Sequence, residues 1–121
     1  MPIDSTLRAE LAAIRTIDMT TFGRTSGLPR RVEIWWFHTE DRFIVTGTPG
    51  PRHWLANLRA DPRLIVHANG ATFEAQAVEI TDQAFRERFF RTADPEISWY
   101  STQAELDVLV TQAPMIEVLF P

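Results

Sequence analysis

The chain contains neither cysteine nor lysine. Disulfides, thiolate nucleophiles, thiolate metal sites and Schiff-base chemistry are therefore excluded. No apolar run approaches the roughly 20 residues that cross a bilayer. The N-terminus lacks the charged and apolar regions of a signal peptide, so a cytoplasmic protein is expected. Internal repeats, low-complexity tracts and linkers are missing too. His38, His53 and His67 are too scattered for ligand spacing, and no metal is expected. A Walker loop would need Gly-Lys-Ser/Thr, and a Ser26, His53, Glu33 triad would need a nucleophile elbow; the sequence has neither.

What is present is compact in scale: 121 residues, 45% apolar, enough for a single domain over 1–121 with one core. The formal charge is −4, yet residues 19–58 hold Arg24, Arg30, Arg31, Arg42 and Arg52 against only Glu33, Glu40 and Asp41. A positive stretch inside a negative chain argues against broad nucleic-acid binding and for a small anionic partner.

Periodicity supplies the elements. Asp4 or Ser5 caps a helix reaching about Arg15, whose Leu7, Leu11 and Ile14 form one stripe. That stripe covers the domain core, with attachment to a membrane surface as the lesser alternative. Strands follow over 17–22, 30–38 and 42–48, and Trp35 and Trp36 must point to opposite faces of the second. Pro51 opens a helix carrying Trp54, Leu55 and Leu58, stopped by Asp61-Pro62. Asn69-Gly70 joins strands over 64–68 and 72–80 as a tight hairpin. Thr81-Asp82 caps a helix running to about Arg91, 93–103 is irregular, 105–110 is a short helix, and Ile116, Val118 and Phe120 alternate in a last strand. Six mostly antiparallel strands with small peripheral helices make an α+β protein, its sheet closed into a barrel so that no edge is left exposed.

Two stretches carry chemistry. Gly23-Arg24-Thr25-Ser26-Gly27-Leu28-Pro29-Arg30 and Thr46-Gly47-Thr48-Pro49-Gly50-Pro51-Arg52-His53-Trp54 both set glycines and hydroxyls beside arginine where a strand pattern breaks. Glycine admits a close backbone approach, hydroxyls are short donors, and the guanidinium fork matches phosphate oxygens. Gly50-Pro51 opening a helix adds unpaired N–H groups and a favourable dipole, with Thr48 and Arg52 beside it. A strand tryptophan next to such a loop suits stacking on a flat ring, so one of Trp35 and Trp36 can be core while the other lines a cavity. Trp54 packs, and Asn57 can satisfy backbone groups.

The pattern Thr-Thr-x-Gly-Arg-x-Ser-Gly-x-Pro-Arg over 20–30, followed by an aromatic strand, Ile-Val-Thr-Gly over 44–47 and Trp-x-x-Asn-Leu over 54–58, resembles the deazaflavin-dependent nitroreductase family. The resemblance runs from about Ile17 onward and is densest between Thr20 and Pro62. It implies the split β-barrel of pyridoxamine-phosphate-oxidase-like proteins and binding of the deazaflavin coenzyme F(420), with FMN as the alternative cofactor.

Carried over by position, Arg24, Thr25, Ser26, Gly27, Pro29 and Arg30 would hold the phosphate and acidic tail. Trp35, Thr46, Gly47, Thr48, Trp54 and Asn57 would line or support the ring pocket. The family often has lysines where this chain has Thr25 and Pro49, a loss Arg52 can offset, and its tyrosine-rich substrate segment is reduced to Trp99 and Tyr100. The implied activity is hydride transfer from reduced F(420) to a small-molecule acceptor: a quinone, a nitroaromatic or an activated alkene. Asn57 or a threonine would hydrogen-bond the ring and Tyr100 would supply a proton. Related barrels are often homodimers. A non-catalytic carrier of flavin, deazaflavin or haem is the remaining alternative.

Overall fold

The computed structural model describes residues 3–121. Its elements are α1 (Ser5–Ala12), β1 (Thr16–Phe22), β2 (Pro29–Thr39), β3 (Arg42–Thr46), α2 (His53–Ala60), β4 (Arg63–Ala68), β5 (Ala71–Glu79), α3 (Gln83–Phe90), α4 (Pro95–Tyr100), α5 (Leu106–Gln112) and β6 (Met115–Leu119). The six strands close into an antiparallel barrel in the order β1-β2-β3-β6-β5-β4. The expected α+β split barrel is the fold observed. Among the described residues no helix is long and apolar enough to cross a membrane.

Side-chain alternation divides the apolar residues into two clusters. Ile17, Met19, Trp36, Phe43, Val45, Leu64 and Val66 fill the barrel interior, closed off by Leu11 of α1 and by Trp54, Leu55 and Leu58 of α2. Trp36 stacks on Phe43 with ring centroids 4.5 Å apart. The opposite parity of β2 and β3, Phe37 and Ile44, builds a second cluster outside the barrel under α3, α4 and α5 with Phe85, Phe89, Phe90, Ile97, Tyr100 and Leu109. Buried Arg86 ties that layer together by donating to the carbonyls of Ile80 (2.7 Å), just after β5, and of Val110 and Ala113 at the end of α5.

The hairpin turn is as expected: Asn69 and Gly70 have φ of 56° and 71°, the left-handed pair of a type I′ turn. Several boundaries differ; α1, for one, stops at Ala12 rather than near Arg15, and α5 runs on to Gln112. The 93–103 segment is not irregular throughout, since Asp94 caps α4 through the N–H groups of Glu96 and Ile97 and Pro95 occupies its first turn. At six residues, α4 is too short to leave a periodic signal.

Helix α2 starts at His53 rather than Pro51, with extended Arg52 as its N-cap residue. The Arg52 guanidinium donates to the carbonyls of Thr48, Gly50 and Pro51, and these bonds hold the preceding backbone as a loop. Strand β3 accordingly ends at Thr46, the last residue opposite β6, where Met115 is its partner.

Candidate functional site

A cleft of about 590 Å³ lies on the outer face of β2 and β3, between the sheet, the 47–52 loop, the first turn of α2 and the end of α4. Its size falls within the range of about 300–1,000 Å³ typical of small-molecule sites. The sheet supplies Thr16, Glu33, Ile34, Trp35 and Thr46, the loop Gly47, Thr48 and Arg52, α2 Trp54, and α4 Trp99 and Tyr100. Seven residues singled out from the sequence therefore converge: Trp35, Thr46, Gly47, Thr48, Arg52, Trp54 and Tyr100. Pairing of β1 with β2 brings Thr16 opposite Trp35, and alternation puts Glu33 on the same outward face as Trp35.

Aromatic edges form one wall. Trp35 meets Trp99 and Tyr100 edge-on, with centroids 6.0 and 6.4 Å away, leaving its ring half-buried at the cleft. Tyr100 is 4% exposed and Trp99 44%, so one packs into the outer cluster while the other forms the rim. Burial pushes the Tyr100 phenol up to about 12, a rise that Arg15 and Arg52 only partly oppose. The hydroxyl stays protonated throughout the neutral range.

Arginine shapes the loop. Arg52 Nη2 donates to both the carbonyl and Oγ1 of Thr48 at 2.8 Å. A Cβ on Gly47 would lie 3.3 Å from that nitrogen, so glycine permits the close approach. Thr48 Oγ1 accepts from Arg52 and keeps its own proton available for donation. Thr46 differs: its hydroxyl donates to the carbonyl of Pro114.

The other expected residues sit elsewhere. Asn57 is 3% exposed, and its Oδ1 accepts from the backbone N–H of Arg24 (3.1 Å) and from Arg24 Nη1 (3.0 Å), while Nδ2 donates to Thr21 Oγ1 (3.2 Å). It ties α2 to the end of β1 and to the arginine loop, and it does not line the cleft. Arg24 Nη2 lies 3.4 Å from His53 Nδ1. Arg30 is exposed and pairs across the strands with Thr21, which brings it to the same face as the Asn57 bond. Thr25, Ser26 and Gly27 form an exposed turn in which Ser26 Oγ accepts from Leu28 N–H, and Pro29 opens β2 opposite Phe22.

Helix α2 thus has the cleft on one side and the Arg24 loop on the other. Arg52 precedes it without a side-chain capping bond, and its first turn holds no acidic residue. Among the described residues, no side chain accepts from the leading N–H groups of this helix, which has Arg52 and His53 at its start and Arg24 beside it. That is the arrangement a phosphate or carboxylate meets at a helix start.

Sequence reasoning missed Arg15. Its Nη1 donates to the carbonyl of Trp36 (3.1 Å), its Nη2 to Asp94 Oδ2 (2.6 Å), and its guanidinium carbon lies 4.2 Å from the Phe37 ring centre. Burial works to raise the Asp94 pKa, but the N–H groups of Ile97 and Glu96 together with Arg15 outweigh it and hold the carboxyl below its usual value. Glu33 as a lining residue could have been found from its parity with Trp35. Arg15 could not, since its partner lies 79 positions away.

Comparisons with known proteins agree with this fold. No protein of curated function matches the chain. A FAD-binding protein of Mesorhizobium loti shares the fold at a TM-score of 0.67, with 16% identity, covering 100% of this chain and 92% of that one. An F(420)-H2 dependent reductase (FDR-A) superimposes at 0.62 with 22% identity, covering 86% and 93%. A structure described as a domain-swapped dimer does so at 0.64 with 20% identity, covering 86% and 79%. The sequence model of the F(420)H(2)-dependent quinone reductases matches residues 3–112, from α1 to the end of α5. The chain belongs to that family and is a reductase that depends on the reduced deazaflavin.

Proposed function

We propose that the phosphate and acidic tail of F(420) are held at the uncapped start of α2 by Arg24, Arg30 and Arg52, and that its flat ring lies in the cleft beside Trp35 and Trp54. The observation that carries this reading is the adjacency of an uncapped helix start flanked by guanidinium groups and a cleft rimmed by aromatics. The residues fit the coenzyme because its two halves, a polyanion and a planar ring, need these two surfaces. Thr48 keeps a hydroxyl proton to offer the ring. Asn57 acts by fixing Arg24 rather than by touching the ring.

When bound, reduced F(420) supplies the hydride. The proposed acceptor is a quinone, with nitroaromatics and activated alkenes as further acceptors. Hydride addition converts a quinone to the hydroquinone monoanion, and one proton completes the hydroquinone. Tyr100 is the proposed donor of that proton, recharged from water. Its raised pKa keeps it protonated at neutral pH and makes it a weaker acid than an ordinary tyrosine, so its donation rests on proximity to the developing oxyanion. Trp99 and Trp35 offer edges and faces to a planar acceptor. A homodimer is also proposed, by analogy with the domain-swapped neighbour.

The test is a fluorescence titration with F(420), with FMN as competitor. F(420) is expected to bind and FMN to displace it poorly. Arg24→Ala and Arg30→Ala should each weaken binding by about 1.5–3 kcal/mol, the range for a charge-assisted hydrogen bond. Unchanged affinity in both variants, or a preference for FMN, would overturn the assignment.

A further inference from the structure

We propose that Arg15 and Asp94 form a latch that holds α4 against the barrel and so fixes the acceptor-facing wall of the cleft. Arg15 lies just before β1, and Asp94 is the N-cap of the helix that ends in Trp99 and Tyr100. One guanidinium bridges three parts of the structure. It donates to the β2 carbonyl of Trp36, pairs with Asp94 at 2.6 Å and covers the ring of Phe37, itself a neighbour of Tyr100 at 6.2 Å.

Asp94 divides its oxygens between two duties. Oδ1 accepts from the N–H groups of Glu96 and Ile97 and starts the helix, while Oδ2 accepts from Arg15 and ties that helix to β2. Among the described residues, α4 makes few other polar attachments to the barrel; Glu96 approaches Arg15 only at 4.0 Å. The wall itself is edge-to-face aromatic contact backed by burial of Ile97 and Tyr100 in the outer cluster, which holds the helix down without fixing its N-terminal end. A directional ion pair at the opposite end of a six-residue helix therefore sets where the indole and the phenol lie relative to Trp35.

Arg15 and Asp94 are positioning residues, acting on the acceptor through Trp99 and Tyr100. The inference rests on the reading that the acceptor occupies this cleft, and the experiment separates the two. Asp94→Asn retains an oxygen for the helix cap but loses the charge that pairs with Arg15. Arg15→Gln loses the pair from the other side, and Arg15→Lys can reach Asp94 or the Trp36 carbonyl but not both.

With the full chain, reduced F(420) and menadione as the quinone, Asp94→Asn and Arg15→Gln should raise the acceptor KM on the order of tenfold, the scale of a misplaced wall. F(420) affinity should stay at the wild-type value, and Arg15→Lys should fall between. Acrylamide quenching of tryptophan fluorescence, measured without any ligand, should rise in both variants as Trp35 loses its cover. If Arg15→Gln does not fold, Asp94→Asn decides alone. Unchanged quenching and KM in Asp94→Asn, or a loss of F(420) affinity in step with the rise in KM, would overturn the latch. If the wild type reduces no menadione, the reading of the cleft fails, and quenching by itself still judges the latch.

Discussion

Two helices reach the cleft, and their N-termini are built in opposite ways. Helix α4 begins with Asp94, whose carboxylate satisfies two leading N–H groups and then takes Arg15 from just before the start of β1. Helix α2 begins with Arg52, which turns its guanidinium back onto loop carbonyls and supplies no cap. Both starts attract negative charge for the same dipolar reason. In α4 that charge is part of the chain, and the result is a fixed wall. In α2 it is left to a ligand, with Arg24 and His53 within reach of each other at the side. Helices α1, α3 and α4 use an aspartate cap, and α5, uncapped like α2, carries Asp107 in its first turn; α2 has neither a cap nor a first-turn acid.

The contrast is most exposed at Asn57, which holds Arg24 at the α2 side. Asn57→Ala leaves buried Thr21 and the Arg24 N–H without their partner, and a loss of about 1–3 kcal/mol in unfolding free energy is expected. Chemical denaturation measures this loss, and F(420) affinity should fall as well because Arg24 is no longer fixed.

A smaller effect, and a more selective one, comes from exchanging the cap itself. Arg52→Ala and Arg52→Asp both remove the loop contacts, but aspartate can cap α2 as it caps α4. The Asp variant should be more stable than the Ala variant by about 1 kcal/mol, yet bind F(420) more weakly, since its carboxylate occupies the place meant for the anion. Equal stability of the two would mean that the start of α2 is satisfied in some other way.

The smallest effect concerns the far end of α4. Tyr100 is the one tyrosine of the chain, so phenolate absorbance reports it alone. Titration should place its ionisation near 12 instead of the ordinary 10.0. Because burial favours the neutral phenol, its contribution to stability is fully present below pH 10.0 and is lost as the pH rises through about 12. Tyr100→Phe should lower turnover with quinones while leaving F(420) affinity unchanged. Intact turnover with every accepted acceptor would remove the phenol from the reaction.

Much of this architecture is legible in the order of residues. Alternation in the 30–38 run separates Trp36 from Trp35, and the barrel uses that parity by burying Trp36 at 1% exposure and opening Trp35 to the cleft. Asn69-Gly70 specifies a hairpin by local backbone preference alone. The ring-side residues are what the family resemblance implies; strand alternation and glycine-rich breaks account only for the opposite faces of Trp35 and Trp36 and for the loops beside them. Pro51 suits a helix start and so places the beginning of α2 two residues early, and nothing local reveals that Arg52 binds three carbonyls of its own loop. Helix α4 escapes periodicity because six residues are too few for a period, although the Asp94-Pro95 pair is a usable sign.

Strand alternation, the turns, the exclusion of thiol and amine chemistry, and the arginine-rich, lysine-free character of the site all follow from the order of residues. These depend on side-chain type and on neighbours a few residues apart. Three-dimensional closure was needed to bring Asn57 to Arg24, Arg15 to Asp94, and Trp99 and Tyr100 to Trp35. Each of those contacts joins segments 33 to 79 positions apart, and such pairs form only when the barrel has brought the segments together.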